Sequence, residues 1–295
     1  MFSRIIVATD LSPAAFAVVK NLSGLKDYGT KECLLLQCLS LQQAGSIALS
    51  YTYSILEENL QEQKKLLEAQ GFDVETRIVP GLATTEICRI AENEDYSLIV
   101  AGAESRTMVI EALLGGIAYE IIHRCRMPIL LVRLEEKRVE GMSMFEAARS
   151  NYKEHILFPT DFSETADQAF SVVRELAVEG ARKITLMHVQ DKERIDPHLS
   201  YRLDEFNEID ESRLAAMKEA LKKVSDVEVD IVLSFGNPSK EIISAVKSRE
   251  VQLVVMGSQG RGYVNELFLG SVSHNVARHS EASVLLIPAK KGVIL

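Results

Sequence analysis

No apolar run in these 295 residues reaches the roughly 20 positions that a membrane-spanning helix requires. Positive charge is also scarce: 33 Lys and Arg stand against 42 Asp and Glu, a formal net charge of −9. A chain that grips nucleic acid needs a basic face. Neither a membrane nor a nucleic acid is therefore expected as a partner. Cysteine is sparse as well. Cys33, Cys38, Cys88 and Cys125 all fall in the first half, with no CxxC pair and no histidine at metal-ligand spacing. Each lies in an apolar segment and reads as a small core residue, so neither a metal site nor a structural disulfide is expected. The start, Met1 to Ala8, turns polar at Thr9-Asp10 and reads as a first strand rather than a signal peptide. The expected location is the cytoplasm.

What is present is a soluble globular composition, 47% hydrophobic and 25% charged, at a length that suits two domains. The chain repeats itself. Arg4-Ile5-Ile6-Val7-Ala8-Thr9-Asp10 has its counterpart in His155-Ile156-Leu157-Phe158-Pro159-Thr160-Asp161. Each run is followed by a helix start, with Ser12 and Ser163 as N-caps and Pro13 in the first turn. Second strands, Cys33–Cys38 and Ile184–Val189, keep the same offset. A long helix follows in each half. Its apolar stripe (Leu56, Leu60 and Leu67; Phe206, Leu214, Met217, Leu221 and Val224) reads as core. Third, fourth and fifth strands recur in both halves. The charged, helix-prone stretch 135–152 reads as a linker between domains 1–134 and 153–290. Apolar strands alternating with helices indicate parallel sheets covered on both faces, here two in tandem.

The fourth strand of the second half runs into Gly257-x2-Gly260-x9-Gly270-Ser271 and then into a helix. Strand, glycine loop and helix start suit a phosphate, because the helix presents unpaired N–H groups and the positive end of its dipole. Gly257, Gly260 and Gly262 can take φ > 0 and leave bare backbone for a ligand. The hydroxyl of Ser271 adds a donor. No Gly-Lys-Ser/Thr closes the loop, so it is not a Walker A loop, and Asn265 stands where a Rossmann fingerprint needs its third glycine. Asp161, Val189 and Gly257 all end strands, so a crevice beyond the sheet can gather them. Asp161 and Asp10 fit either a turn or cap role or an acceptor for a ribose hydroxyl or an adenine amino group. The backbone near Val189 can pair with an adenine edge.

This pattern resembles the universal stress protein family: a first strand ending Thr160-Asp161, a second ending His188-Val189, and the full glycine loop after the fourth. The resemblance covers nearly all of both halves. It implies two doubly wound five-stranded parallel α/β sheets, of the adenine nucleotide alpha hydrolase-like kind. In the family these pack as an intrachain pseudo-dimer through their last strands, with a homodimer as a further option. It also implies binding of an adenine nucleotide, ATP or AMP, by the second half. By motif position the binding residues would be Pro159, Thr160, Asp161, Val189 and Met256 with Gly257, Gly260, Gly270, Ser271 and Val272.

The first half departs from the pattern. Thr9, Asp10, Cys38, Gly102, Gly115 and Gly116 stand at matching positions, but Ser105 replaces the second glycine and Gly116 the terminal hydroxyl. Glu104 adds an acid near where phosphates would lie, which is unfavourable for an anion unless Arg106 offsets it. The first half is expected to be empty or to take a less-charged ligand.

The leading functional expectation is a nucleotide-binding sensor or regulator of a stress response. No nucleophile–base–acid constellation is visible, and His188 reads as a satisfied core residue. The alternative is a slow ATPase, or a nucleotidyl or phosphoryl transferase on the same fold. It lacks a loop lysine, an HxGH-type motif and a carboxylate pair for Mg²⁺, so any Mg²⁺ accompanying ATP would be held mainly by phosphates. A receiver-like phosphoacceptor is disfavoured, because Thr9 and Thr160 occupy the place of its extra acid.

Overall fold

The computed structural model describes residues 1–39, 49–105, 116–139, 142–195, 200–260 and 269–289. The chain divides into two compact units, Met1–Ser150 and Asn151–Leu295.

The first unit contains β1 (Arg4–Thr9), α1 (Pro13–Lys20), β2 (Glu32–Leu39), α2 (Leu49–Ala69), β3 (Asp73–Pro80), α3 (Ala83–Asn93), β4 (Leu98–Ser105), α4 (Gly116–Arg124), β5 (Ile129–Val139) and β6 (Met142–Ala147). Its sheet order is β3-β2-β1-β4-β5, parallel throughout, with β6 antiparallel on β5. The second unit contains β7 (Ile156–Pro159), α5 (Glu164–Val178), β8 (Lys183–Asp191), α6 (Lys192–Ile195), α7 (Leu203–Lys222), β9 (Glu228–Gly236), α8 (Pro238–Ser248), β10 (Leu253–Gly257), α9 (Ser271–His279) and β11 (Ser283–Ile287). Its order is β9-β8-β7-β10-β11, also parallel.

Strands buried on both faces must be apolar along their whole length. Ile5, Ile6 and Val7 in β1, and Ile156, Leu157 and Phe158 in β7, are all at 0% exposure. The central strand of each unit is the first in sequence. The chain winds outward on one side of it and then returns to the other, so strand order reverses between β1 and β4 and between β7 and β10. A crevice opens at the carboxyl ends there.

The helix starts are set by short side chains. Ser12, Ser163 and Asn237 accept hydrogen bonds from the backbone of Ala15, Ala166 and Lys240, and Pro13 and Pro238 open their helices. Ahead of α1 and α5 the turn is the same in both units. The Thr9 hydroxyl accepts from Leu11 N–H (3.0 Å) and Asp10 from Ser12 N–H (2.9 Å). Thr160 and Asp161 accept in the same way from Phe162 (2.9 Å) and Ser163 (3.1 Å). These bonds hold Leu11 and Phe162 at φ 61° and 58°, a region costing about 1–3 kcal/mol for a side chain with a Cβ.

Two expectations are corrected. The stretch read as a helix-prone linker, 135–152, is mostly a β-hairpin: β5 runs on to Val139 and β6 returns along it. Exposure alternates along both strands, Glu135 and Lys137 being more exposed than Glu136, and Met144 and Glu146 more than Phe145 and Ala147, as suits a hairpin with one covered face, and β6 packs on α1. Cys88 and Cys125 are not separate core thiols. They form a disulfide between α3 and the end of α4, with Cα atoms 5.2 Å apart, because the packing of those helices brings together residues 37 positions apart.

Candidate functional site

In the second unit the crevice is a cavity of about 560 Å³, within the roughly 300–1,000 Å³ usual for small-molecule sites. Pro159, Thr160, Asp161, Val189, Met256 and Gly257 line it. So do Gly260, Gly270, Ser271 and Val272. Three separate strand ends and one helix start thus supply a single wall.

The base of α9 is the first feature of note. Its N-cap, Gly270, has no side-chain hydrogen bond to the helix, unlike Ser12, Ser163 and Asn237. Ser271, Val272 and Ser273 of the first turn line the cavity, and the N-cap offers their N–H groups no side-chain acceptor. The Ser273 hydroxyl donates to the Gly257 carbonyl (2.8 Å), tying helix start to strand end.

The end of β8 is the second. Thr160 N–H donates to the Met187 carbonyl (2.8 Å), and the β7–β8 register stops at Pro159↔Met187. One more rung would join the Thr160 carbonyl to Val189 N–H. That carbonyl instead accepts from His188 Nδ1 at 2.7 Å. Backbone polarity alternates along a strand, so Val189 turns its N–H and C=O toward the side where β7 has ended.

Glycine is needed here for closeness rather than for positive φ. Gly257 and Gly260 are not among the positive-φ glycines, and Gly270 has φ −61°. A Cβ at Gly257 would meet Thr165 Cγ2 at 2.9 Å and the Thr165 backbone carbon at 3.2 Å. A Cβ at Gly260 would lie 2.7 Å from Asp161 Oδ2. Gly257 and Gly260 can take φ > 0 but do not use that freedom here; what they supply is the missing side chain. Gly262 lies outside the described residues.

Helix α7 supplies residues that the sequence reading did not assign to the site. Leu214 and Leu221 are at 0% exposure, in the core, but Phe206 and Ile209 line the cavity with Asp210 and Arg213. The single core stripe expected here is therefore two surfaces in series, and Val224 lies beyond the helix with 37% exposure. Asp210 accepts from Gln190 (3.0 Å) and sits 3.5 Å from His188 Nε2. Arg213 lies over the Phe162 ring (5.0 Å), and Phe162 packs on His188 (4.6 Å). His188 is thus a satisfied residue that also shapes the wall. An i, i+3 acid–base pair facing the same way as Phe206 was the available signal.

In the first unit Thr9, Asp10, Cys38 and Gly102 converge on a cavity of about 170 Å³. The Cβ that Gly102 lacks would meet Val18 Cγ2 at 3.1 Å. The β1–β2 register runs one step further than its counterpart, to Thr9↔Gln37. Ser105 ends β4 and Gly116 opens α4; Gly115 and Arg106 lie outside the described residues.

The universal stress protein family model matches residues 1–133 and 153–288. A universal stress protein of Methanocaldococcus jannaschii is 32% identical over 153 residues, 46% of this chain and 94% of that protein. One from Bacillus subtilis is 28% identical over 144 residues, 45% of this chain and 97% of its own. The crystal structure of a universal stress protein from Archaeoglobus fulgidus covers 98% of this chain and 99% of its own, with a TM-score of 0.76 at 23% identity. That likeness establishes the fold. With a family match in each of its two units, the chain belongs to the universal stress protein family.

Proposed function

We propose that the second unit binds an adenine nucleotide, ATP, ADP or AMP, and that the protein acts as a nucleotide-dependent regulator in a cytoplasmic stress response. The observation that carries this reading is the pairing of two open backbone surfaces in one cavity. The N-terminus of α9, whose N-cap glycine brings no side-chain acceptor, suits phosphates, and the strand edge at Val189 suits the hydrogen-bonding edge of a purine. Glycines at 257, 260 and 270 keep side chains out of the approach. In this reading Pro159, Thr160, Asp161, Val189 and Met256 hold the adenosine end. Gly257, Gly260, Gly270, Ser271 and Val272 hold ribose and phosphates. The family resemblance supports the same assignment.

A regulator is favoured over a fast enzyme by the cavity's chemistry. Among the described residues its charged side chains are Asp161, Asp191, Arg194, Asp210 and Arg213, with no lysine. Any ATP turnover should be well below the roughly 1 s⁻¹ at the lower end of ordinary enzymes.

Calorimetry with ATP, ADP, AMP and adenosine tests the assignment. Asp161→Ala combined with Gly260→Val should weaken nucleotide binding at least a hundredfold. Unchanged affinity would overturn it.

A further inference from the structure

The disulfide joins Cys88 on α3 to Cys125, the residue after α4. The chain between them contains β4, the first unit's counterpart of the glycine loop and all of α4. The same two helices wall the first unit's cavity, through Ala83 and Ile87 of α3 and Ala118 of α4. Apart from the covalent bond, a hydrogen bond from Thr84 Oγ1 to Glu120 Oε2 (2.6 Å) also ties α3 to α4. In the second unit the positions 155 residues later are Ile243 and Ser280, which cannot be cross-linked. The bond is therefore a device of one unit only.

The remaining cysteines are poor competitors for oxidation. Burial pushes the Cys33 thiol up to about 12 and the Cys38 thiol up to about 11, which suppresses the reactive thiolate. Cys88 is half-buried and Cys125 is 7% exposed, so an attacking thiolate reaches the bond from the Cys88 side.

We propose that Cys88 and Cys125 are a reversible thiol–disulfide switch that anchors α4 to α3 and so controls access to the first unit's cavity. The oxidant is a hydroperoxide. One thiolate attacks its O–O bond, giving a sulfenic acid and releasing the alcohol or water. The second thiolate attacks the sulfenic sulfur, the S–S bond forms, and water leaves. For reduction, a dithiol's thiolate attacks the Cys88 sulfur and Cys125 departs as thiolate. The dithiol's second thiol then closes its own disulfide and frees Cys88. The proposal concerns the first unit and does not depend on nucleotide binding by the second.

The test uses the full chain, oxidised with hydrogen peroxide or reduced with dithiothreitol. Alkylation and mass spectrometry should show two thiols lost and regained, at Cys88 and Cys125. Hydrogen exchange over 98–105 and 116–124 should be at least tenfold faster when reduced, with 253–257 and 271–279 unchanged as the internal reference. Cys88→Ser should show the fast pattern under both conditions; if that variant does not accumulate, reduced wild type supplies the comparison. Three results would each overturn the switch: a bond that resists dithiothreitol in the folded protein, thiols that stay free under peroxide, or equal exchange in the two states.

Discussion

At the scale of single residues, close approach explains the site better than backbone freedom does. Gly257 sits under α5, and a methyl group there would press on the Thr165 backbone as well as its side chain. Gly257→Ala should therefore cost about 1–3 kcal/mol as overpacking, read by urea denaturation of the full chain. At Gly260 the opposing atom is the Asp161 carboxylate, which can swing away. Gly260→Ala should spare stability and reduce nucleotide affinity instead. His155 bears on pH. It is 7% exposed, its Nδ1 donates to the Arg249 carbonyl at 2.9 Å, and its Nε2 lies 2.8 Å from Thr185 Oγ1. Burial holds its pKa below the ordinary value of 6.5. The folded chain thus resists protonation more than the unfolded chain does. Its contribution to stability is complete above pH 6.5, declines as pH falls through that value, and levels off below the folded-state pKa. His155→Gln should flatten the stability profile in that window. A slope equal to that of the wild type would show that His155 does not set it.

At the scale of elements, α7 divides its labour along its length. Leu214 faces the sheet and Phe206 faces the cavity. Leu214→Ala should cost about 2–5 kcal/mol in denaturation. Phe206→Ala should leave the denaturation midpoint in place and weaken nucleotide binding in calorimetry. The sequence alone could not separate these roles, since a helical stripe has the same spacing whether it meets a core or a ligand. Strands were readable for the opposite reason. A strand covered on both faces must be apolar throughout, and only a buried parallel sheet asks for that in runs as short as Ile156–Pro159. The glycine loop was readable as a spacing, but its physical basis was not: the groups a Cβ would crowd are Thr165, fixed at its backbone, and the movable carboxylate of Asp161, nearly a hundred residues away. The hairpin of β5 and β6 was hidden by its charged residues, which suit an exposed helix and an exposed strand face alike. The Cys88–Cys125 bond was hidden by separation, because nothing in either apolar segment names the helix it will pack against.

At the scale of the whole molecule, one chain carries two versions of the same crevice, and the differences all act in one direction. The second cavity is about 560 Å³ and the first about 170 Å³, the latter below the usual lower bound near 300 Å³ for ligand sites. His188 takes the Thr160 carbonyl and leaves the strand edge open at Val189, whereas Gln37 lets the ladder run one step further beside Cys38. Asp161 is half-buried and Asp10 is exposed. Ser105 stands for Gly260 and Gly116 for Ser271, so a hydroxyl that can reach a phosphate is missing. Losing one hydrogen bond to a charged group costs about 1.5–3 kcal/mol, or roughly one to two decades of affinity. The sequence also puts an acid, Glu104, in this loop, and the repulsion expected from it grows with the number of phosphates. We therefore expect ATP to bind the full chain with a stoichiometry of one. Asp161→Ala with Gly260→Val should abolish that binding, and Asp10→Ala should leave it unchanged. Adenosine and AMP, with less charge to repel, are the ligands expected to reveal any second site in the same titrations. Two ATP sites of equal affinity, or ATP binding lost through Asp10→Ala rather than through Asp161→Ala, would mean that neither cavity size nor the loop substitutions govern which unit is loaded.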